Sequence, residues 1–330
     1  MSVEFKQFTV EKYGKSVASL WNEVVKERDF YKQFTEEGFF NILFRNPHFK
    51  EKGAFVALDH DEVVGFACGM IRNEDFANET APGYFNTIIV KKEYRRQGIG
   101  KKLLSMVEEY FKEEKRQAVR CVFFSPVNWP WYVPNTDHHD HPGNPAIPVN
   151  SPEYFFLLHN GYYVQGFQDA FHLDLKDYEM SEEVKNKMKE NEKRGYKIEV
   201  YDPKRHYGID EFCVKINAEG FARAIKSNLA KPVPNPFLVV SENGKVVGWT
   251  GAMYTEPSGR AHFDGITVSP DVRGGGLGKT LFCSLGQYSK EHGSSFMTFF
   301  TGLDNPARYI YLYAGYKIIQ TFAVMKKELK

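Results

Sequence analysis

The chain has 330 residues, 42% of them hydrophobic, and its 43 basic and 42 acidic residues leave a formal net charge of +1. This length is long for one domain and comfortable for two, each with an apolar core. The balanced charge, without a block of like charges, argues against nucleic acid as a partner, and no apolar run approaches the roughly 20 residues of a membrane span.

The cysteines and the first residues bear on the compartment. Cys68, Cys121, Cys213 and Cys283 lie far apart and form no CxxC pair. Such cysteines are typical of buried thiols in a reducing compartment. The first residues also lack the charged-then-apolar pattern of a secretory signal. We therefore expect a cytoplasmic protein.

The first half of the chain begins with two predicted helices and a hairpin. The helices cover residues 10–27 and 36–44, and the hairpin covers 56–70, where a polar turn separates two apolar strands. An apolar strand ending at Val90, a glycine loop and a long amphipathic helix follow. The apolar residues of that helix recur at helical spacing: Leu103, Leu104, Val107, Tyr110 and Phe111.

The rest of the first half contains an insertion. A strand is predicted over 118–123, the insertion covers 125–150, and a short helix and a closing hairpin follow. A charged stretch over 176–194 then predicts a helical linker. The second half starts with helices over 206–218 and 221–228.

The second half repeats the first. Residues 239–253 align without gaps to 56–70, and residues 266–282 align to 88–104. Three matched blocks in one order indicate an internal repeat; the third pairs Gly161-Tyr162 with Gly315-Tyr316. We predict an α+β fold of two tandem domains, 1–175 and 195–330, each a mixed, mostly antiparallel sheet flanked by helices.

Both repeats place a glycine loop between a strand and a long helix. The loops are Arg95-Arg96-Gln97-Gly98-Ile99-Gly100 and Arg273-Gly274-Gly275-Gly276-Leu277-Gly278. Glycines let a ligand approach the backbone closely, and the unpaired N–H groups of a helix start attract anions. Lys101, Lys102 and Lys279 add positive charge. The pattern predicts a pyrophosphate site in each half.

Two other phosphate motifs fit less well. Residues 273–280 nearly match GxxxxGK[ST], but Arg273 stands where the first glycine belongs, and the other copy lacks the Ser or Thr. The dinucleotide fingerprint GxGxxG also fails, because its last glycine is replaced by Leu103 and Leu281. Nucleotide phosphotransfer therefore stays a weak third hypothesis, which ATP binding would reveal.

The loops match [RQ]xxGx[GA] between a strand and a long helix, and each half thereby resembles the GNAT superfamily of N-acyltransferases. The order of elements extends the resemblance over nearly the whole chain, and the tandem layout is similar to that of mycothiol synthases. The resemblance implies acetyl-CoA as co-substrate and no metal. In the first half it implies contacts to CoA from Ile88, Ile89, Val90, Arg95, Arg96, Gln97, Gly98, Ile99, Gly100 and Lys101. In the second half it implies contacts from Ile266, Thr267, Val268, Arg273, Gly274, Gly275, Gly276, Leu277, Gly278, Lys279 and Asn305.

The family often uses a tyrosine as acid on the helix after the fifth strand, four residues before a Gly-aromatic pair. Tyr311 holds that place in the second half, whereas Leu157 holds it in the first. His262 and Asp264 are candidate bases because strand alternation puts them on one face with Ile266. Their first-half equivalents, Tyr84 and Asn86, are not natural bases.

The insertion is rich in aromatic and histidine residues. We expect Trp129, Trp131 and Tyr132 to wall an acceptor pocket. Residues 137–141 read Asp-His-His-Asp-His, but zinc sites need spaced ligands on a fixed frame, so we expect no metal there.

The sequence therefore predicts an acetyltransferase that moves an acetyl group from acetyl-CoA to a primary amine of a small molecule. A non-catalytic acyl-CoA binder is the alternative, as is one catalytic domain supported by a degenerate one. The sequence leaves the acceptor open, and both a monomer and a homodimer fit, because fused domains can cover each other's sheet edges.

Overall fold

A computed structural model describes residues 3–122 and 125–329. By its packing the chain divides into two compact units: unit 1 comprises Met1–Asp169 and Gln320–Lys330, and unit 2 comprises Ala170–Ile319. Residues 320–330, which the repeat assigns to the second half, thus belong to unit 1. The domain boundaries drawn from the repeat stay a prediction.

Unit 1 is a twisted sheet with helices on both faces. Its strands are β1 (Val3–Gln7), β2 (Ala54–Asp59), β3 (Glu62–Met70), β4 (Gly83–Val90), β5 (Ala118–Cys121), β6 (Trp131–Tyr132), β7 (Asp140–His141) and β8 (Ile147–Pro148). Its helices are α1 (Val10–Lys26), α2 (Glu36–Ile42), α3 (Ile99–Glu113) and α4 (Pro152–His159). Strands β1 to β4 pair antiparallel in chain order, and β4 pairs parallel with β5.

Local sequence explains the main elements of unit 1. Helix α1 buries Tyr13, Val17, Leu20, Trp21 and Val25, an apolar stripe of helical period. Helix α2 begins after Thr35, whose hydroxyl accepts a hydrogen bond from the Gly38 N–H at 3.1 Å. Each helix therefore lays one apolar face on the sheet.

Two strands begin in one unit and end in the other. They are β9 (Tyr163–Asp174) and the last strand, β16 (Lys317–Glu328). Residues 325–328 of β16 pair antiparallel with β5, from Met325 opposite Cys121 to Glu328 opposite Ala118. The sheet of unit 1 is thus completed by the last strand of the chain.

Unit 2 repeats the helix and sheet order of unit 1. Its helices are α5 (Glu182–Lys193), α6 (Ile209–Lys215), α7 (Glu219–Leu229), α8 (Leu277–Glu291) and α9 (Ala307–Tyr313). Its further strands are β10 (Tyr196–Val200), β11 (Phe237–Glu242), β12 (Lys245–Gly251), β13 (Arg260–Ala261), β14 (Ile266–Val268) and β15 (Phe296–Gly302). The β11–β12 turn has positive φ at Asn243 and Gly244, as an Asn-Gly hairpin requires.

The predicted fold class is confirmed: both units combine helices with mixed, mostly antiparallel sheets. Helix α5 lies within the stretch predicted as a helical linker, and it belongs to unit 2. One expectation was wrong: the strand predicted through His262 and Asp264 is interrupted, because Gly265 has φ +143° and residues 262–265 lie between β13 and β14. Phe123, predicted to end a strand, lies outside the described residues. Within the described ranges, no helix combines the length and apolarity needed to cross a membrane.

Candidate active site

In the sheet of unit 1, β4 lies between β3 and β5. Strands β4 and β5 pair in parallel at Gly83 and Tyr84, opposite Val119 and Arg120. On the other edge, Thr87 pairs with Cys68 and Phe85 with Gly69, so Asn86 is the extra residue of a β-bulge. A bulge bends its strand and redirects a side chain, and bulges are frequent beside active sites.

A cavity of about 510 Å³ runs along β4 in unit 1. Its walls come from α1, β4, the glycine loop, the insertion and α4. Eight of the residues predicted to contact CoA line it: Ile88, Ile89, Val90, Arg95, Arg96, Gly98, Gly100 and Lys101. The described lining does not include Gln97, whose amide donates to the Glu93 carbonyl at 2.8 Å, or Ile99, which is buried in the core. The strand end and the loop thus face one space.

The glycine loop of unit 1 is accessible. Gly98 precedes α3 with φ +85°, and a Cβ built on it would meet no atom within 4 Å. Arg95 fixes the loop to the strand end, because its Nε donates to the Val90 carbonyl at 2.8 Å and its Nη1 lies 2.9 Å from Glu27. The helix N-terminus and the Lys101 ammonium therefore offer an anion an open, positive site.

Several cavity residues escape sequence analysis. The wall opposite β4 comes from Trp21, Arg28 and Tyr31 on and after α1, and from Glu153 and Phe156 on α4. In the sequence, α1 and α4 show only core-type patterns. The Pro152-Glu153 start of α4 is an ordinary helix beginning, so sequence offers no signal for these positions. Leu157, the counterpart of Tyr311, also lines the cavity.

The three predicted pocket aromatics have different surroundings. Trp129 lines the cavity, stacks on Trp21 at 3.9 Å between ring centroids, and donates its indole N–H to Thr87 at 3.1 Å. Trp131 is fully buried and stacks on Phe30 at 5.0 Å. Tyr132 contacts His138 at 4.6 Å. Among the described residues, Trp129 alone of the three lies in the cavity wall.

The glycine loop of unit 2 has the same backbone but close neighbours. Gly276 precedes α8 with φ +80°, and Arg273 Nε lies 3.3 Å from the Val268 carbonyl. A Cβ on Gly275 would lie 2.7 Å from Arg194 Nη1, and one on Gly276 would lie 3.0 Å from Lys187 Cε. Two cationic side chains from the region of α5 thus lie on this loop.

Helix α5 and the segment before it also pack on the outer face of α8. Tyr178 donates to the Cys283 carbonyl at 3.1 Å, and Met188 lies 3.8 Å from the Ser284 hydroxyl. A Cβ on Gly286 would lie 3.0 Å from the Tyr178 ring. Helix α8 is therefore buried on faces that are exposed in α3.

The residues proposed as bases in unit 2 do contact each other. His262 Nε2 lies 2.9 Å from Asp264 Oδ1, and His262 Nδ1 lies 3.0 Å from Glu256 Oε1. Burial lowers the pKa of His262, but the bonds and charges of Asp264 and then Glu256 outweigh it, so the net pKa is raised. Burial raises the pKa of Asp264, but hydrogen bonds from His262 and the Ala252 N–H outweigh it, so the net pKa is lowered. Both shifts favour the charged forms of the two side chains, an imidazolium beside a carboxylate.

Tyr311 and Asn305 have well-defined contacts in unit 2. Tyr311 is buried among aromatic rings, with Phe299 at 4.5 Å and Phe282 at 4.8 Å, and burial raises its pKa to about 12. Asn305 accepts the Ala307 N–H at 3.0 Å and donates to Thr301 at 2.8 Å, so both ends of its side-chain amide are held just ahead of α9. A pocket of about 70 Å³ in this unit is lined by Met253, Tyr254 and their neighbours. That lining includes none of the residues proposed for CoA or for catalysis.

The histidine-rich segment of the insertion is tied into unit 1 by packing. Asp140 pairs with Lys32 at 2.5 Å, and His141 stacks on Trp131 at 5.1 Å between ring centroids. Across residues 3–122 and 125–329, no group of three or more His, Cys, Asp and Glu side chains is placed to hold a metal ion.

Sequence comparison places this architecture in a known family. The profile of the acetyltransferase (GNAT) family matches residues 20–128 and 201–316, which together exceed half of the chain. The chain therefore belongs to the GNAT family. Membership makes it an acyltransferase by class, and members of this family generally use acyl-CoA. A search of the curated proteins finds no match.

Solved structures share the fold at low identity. The chain is similar to a glucosamine N-acetyltransferase region of a fungal multi-domain GH3 β-N-acetylglucosaminidase (TM-score 0.68, 15% identity), covering 98% of this chain and 38% of that one. The chain is also similar to a GCN5-related N-acetyltransferase from Sphaerobacter thermophilus (TM-score 0.60, 15% identity), covering 99% of this chain and 96% of that one. It is similar as well to a tandem GNAT protein from the clavulanic acid biosynthesis pathway (TM-score 0.59, 14% identity), covering 100% of this chain and 99% of that one. These likenesses concern the fold, including its tandem layout.

Proposed function

We propose that unit 1 transfers an acetyl group from acetyl-CoA to a primary amine of a small molecule. The cavity of about 510 Å³ carries the proposal, because it joins the accessible glycine loop to β4 and to the aromatic wall around Trp129. The CoA pyrophosphate would lie on the N–H groups ahead of α3, near Lys101. The pantetheine arm would follow Ile88 to Val90. We place the protein in the cytoplasm, since its four cysteines are free and buried.

The proposed reaction is direct attack. The neutral amine nitrogen attacks the thioester carbonyl, the new C–N bond forms, and the C–S bond breaks. The attacking nitrogen loses one proton, and CoA leaves as the thiolate and takes up one, so the products are a neutral amide and free CoA thiol. The Asn86 bulge supports this step, because it places irregular backbone beside the proposed thioester position.

Unit 2 is the second candidate for the same chemistry. The His262–Asp264 contact at 2.9 Å favours it, with Tyr311 as acid and the loop before α8 as the CoA site. Against it stand Lys187 and Arg194 on that loop. We therefore assign unit 2 a supporting role, as a degenerate copy beside the catalytic one.

Titration with acetyl-CoA tests the proposal through two matched variants. Gly100 and Gly278 occupy equivalent helix positions, and an added Cβ would lie no closer than 3.5 Å and 3.3 Å, respectively, to its neighbours. An aspartate suits a helix start but repels a pyrophosphate. We expect the wild type to bind one equivalent, G100D to weaken binding at least about 100-fold, and G278D to leave it within about twofold.

Other outcomes of this titration are equally informative. Loss of binding in G278D alone would move the site to unit 2, and two equivalents in the wild type would assign a site to each unit. No binding by folded wild type would refute the proposal. Release of CoA thiol with a panel of primary amines, glucosamine among them, separates an enzyme from a binder, because a binder saturates without turnover.

A further inference from the structure

The carboxylate of Glu153, in the unit 1 cavity, has an ion-pair partner at only one of its two oxygens within the described residues. Glu153 lies in the first turn of α4, behind Ser151, whose hydroxyl accepts the Tyr154 N–H at 3.1 Å. Its Oε1 pairs with Nη1 of Arg28, which also lines the cavity. Its Oε2 is buried and has no hydrogen-bond partner among the described residues. One oxygen therefore anchors the side chain, while the other lacks a partner within the described residues.

Helix electrostatics do not account for this arrangement. An acidic residue in a first helical turn is stabilised by the helix dipole, and an exposed carboxylate would serve that purpose. A buried acceptor without a partner instead destabilises the folded protein, because it has lost its hydrogen bonds to water. A donor brought by a ligand would offset that cost.

A second acceptor, on β4, lines the same cavity. Asn86, the bulge residue of β4, donates its amide to the Ser125 hydroxyl at 2.5 Å, which fixes the orientation of the side chain. Its Oδ1 is buried and, within the described part of the chain, has no partner. Two unsatisfied acceptors, one of them anionic, suit a group with several donors, and an ammonium has three.

The wall between α1 and the insertion suits the body of such a ligand. Trp129 and Trp21 stack at 3.9 Å, and Tyr31 lies 5.8 Å from Trp21 between ring centroids. Burial raises the pKa of Tyr31, so its ring stays neutral at physiological pH. Aromatic faces attract cations and cover apolar groups.

We infer that Glu153 and Asn86 form the amine-recognition subsite of unit 1, and that the acceptor is a small primary amine whose apolar or aromatic body lies against Trp129 and Tyr31. This inference rests on the proposed function, because it assigns the acceptor end of the same cavity. Glu153 acts as a specificity residue: its Oε2 and Asn86 Oδ1 bind the N–H groups of the amine.

Two isosteric probes test the inference. 2-Phenylethylamine and 2-phenylethanol differ in the group that Glu153 would bind. Each is titrated calorimetrically into protein saturated with CoA, which cannot acetylate the probe. We expect the wild type to bind the amine at least about tenfold more tightly than the alcohol, since charge-assisted hydrogen bonds are the strong ones.

Variants of Glu153 and Asn86 test whether these two residues cause the preference for the amine over the alcohol. Glu153→Gln keeps the shape and should weaken amine binding about tenfold while leaving alcohol binding within twofold. Asn86→Asp keeps an acceptor, adds charge and should tighten amine binding. Glu109→Gln makes the same change as Glu153→Gln at an exposed position of α3 and should leave both affinities unchanged. An equal response of both probes to Glu153→Gln, or no amine preference in the wild type, would overturn the inference.

Acetyl-CoA titration of the same proteins separates the two proposals. Acetyl-CoA binding that persists while the amine preference is missing refutes the subsite alone. No acetyl-CoA binding in the wild type refutes the proposed function, and the amine titration repeated without CoA then reports on the subsite by itself.

Discussion

The loops ahead of α3 and α8 share their backbone but not their surroundings. Both place a left-handed glycine before the helix, with φ +85° at Gly98 and +80° at Gly276. In unit 1 a Cβ at this glycine would meet nothing, whereas in unit 2 it would lie 3.0 Å from Lys187. The motif thus specifies the backbone shape of the loop, while the neighbouring elements decide how much open space surrounds it.

The same contrast extends along the two helices. Thr280, Ser284 and Gly286 of α8 are buried, while their repeat partners in α3 are Lys102, Met106 and Glu108, which are exposed or half-buried. Small residues in α8 make room for α5 and the segment before it. Small side chains at these positions of α8, where α3 has long ones, are therefore the feature of the sequence that corresponds to the packing of α5 on α8.

The largest expected effect comes from exchanging a pair of equivalent residues. Thr280 is 1% exposed, so Thr280→Lys would bury an ammonium and should lower the free energy of unfolding by about 3 kcal/mol. Lys102→Thr changes an exposed site and should cost no more than about 0.5 kcal/mol. Denaturant unfolding of both variants measures the difference. Equal costs would mean that α8 is no better covered than α3.

A smaller effect on the free energy of unfolding is expected when pH changes the protonation of His262. Its pKa is raised in the folded state, so its contribution to stability is complete below the ordinary value of 6.5 and is lost as pH rises through the raised pKa. His262→Gln should remove this loss, which we expect to be about 1 kcal/mol or less for a partly exposed pair. Urea unfolding between pH 5.5 and 8.5 measures it. An unchanged slope in His262→Gln would contradict this assignment of the pH dependence.

The smallest expected effect tests which unit catalyses. Tyr311→Phe removes a hydroxyl that is buried among rings of unit 2, whereas the proposed reaction belongs to unit 1. We expect kcat/KM for an accepted amine to stay within about twofold, since this hydroxyl would not act in the transition state. CoA thiol release gives the rate. A loss of about 100-fold would instead identify Tyr311 as the acid and favour unit 2.

Much of the fold could be predicted from the sequence, because the repeat aligns strand, loop and helix twice. The hairpin over 56–70 can be predicted from two apolar strands around a polar turn, and helix α5 from the charged stretch over 176–194. The packing of α5 on α8 cannot, since Val184, Met188 and Asn191 form only a narrow stripe on a highly charged helix. Contacts between distant segments leave little trace in such a pattern.

The candidate site was predictable only in part for the same reason. Gly98 and Lys101 follow from a motif of contiguous residues, so sequence finds them. Glu153 and Asn86 belong to different elements and are brought into one cavity by the fold. Glu153 is an ordinary acidic residue in the first turn of a helix, and Asn86 is an ordinary amide residue in a strand. Only the three-dimensional structure shows that one oxygen of each lacks a hydrogen-bond partner among the residues described.

The pairing of β16 with β5 has a consequence for biosynthesis. Met325 lies opposite Cys121, so unit 1 receives this strand only after all of unit 2 has left the ribosome. A nascent chain that stops before residue 320 would leave the β5 edge unpaired, and exposed edges invite aggregation. The unit that holds the cavity is begun before unit 2 is synthesised and completed after it, so its proposed activity would require that both units have been translated.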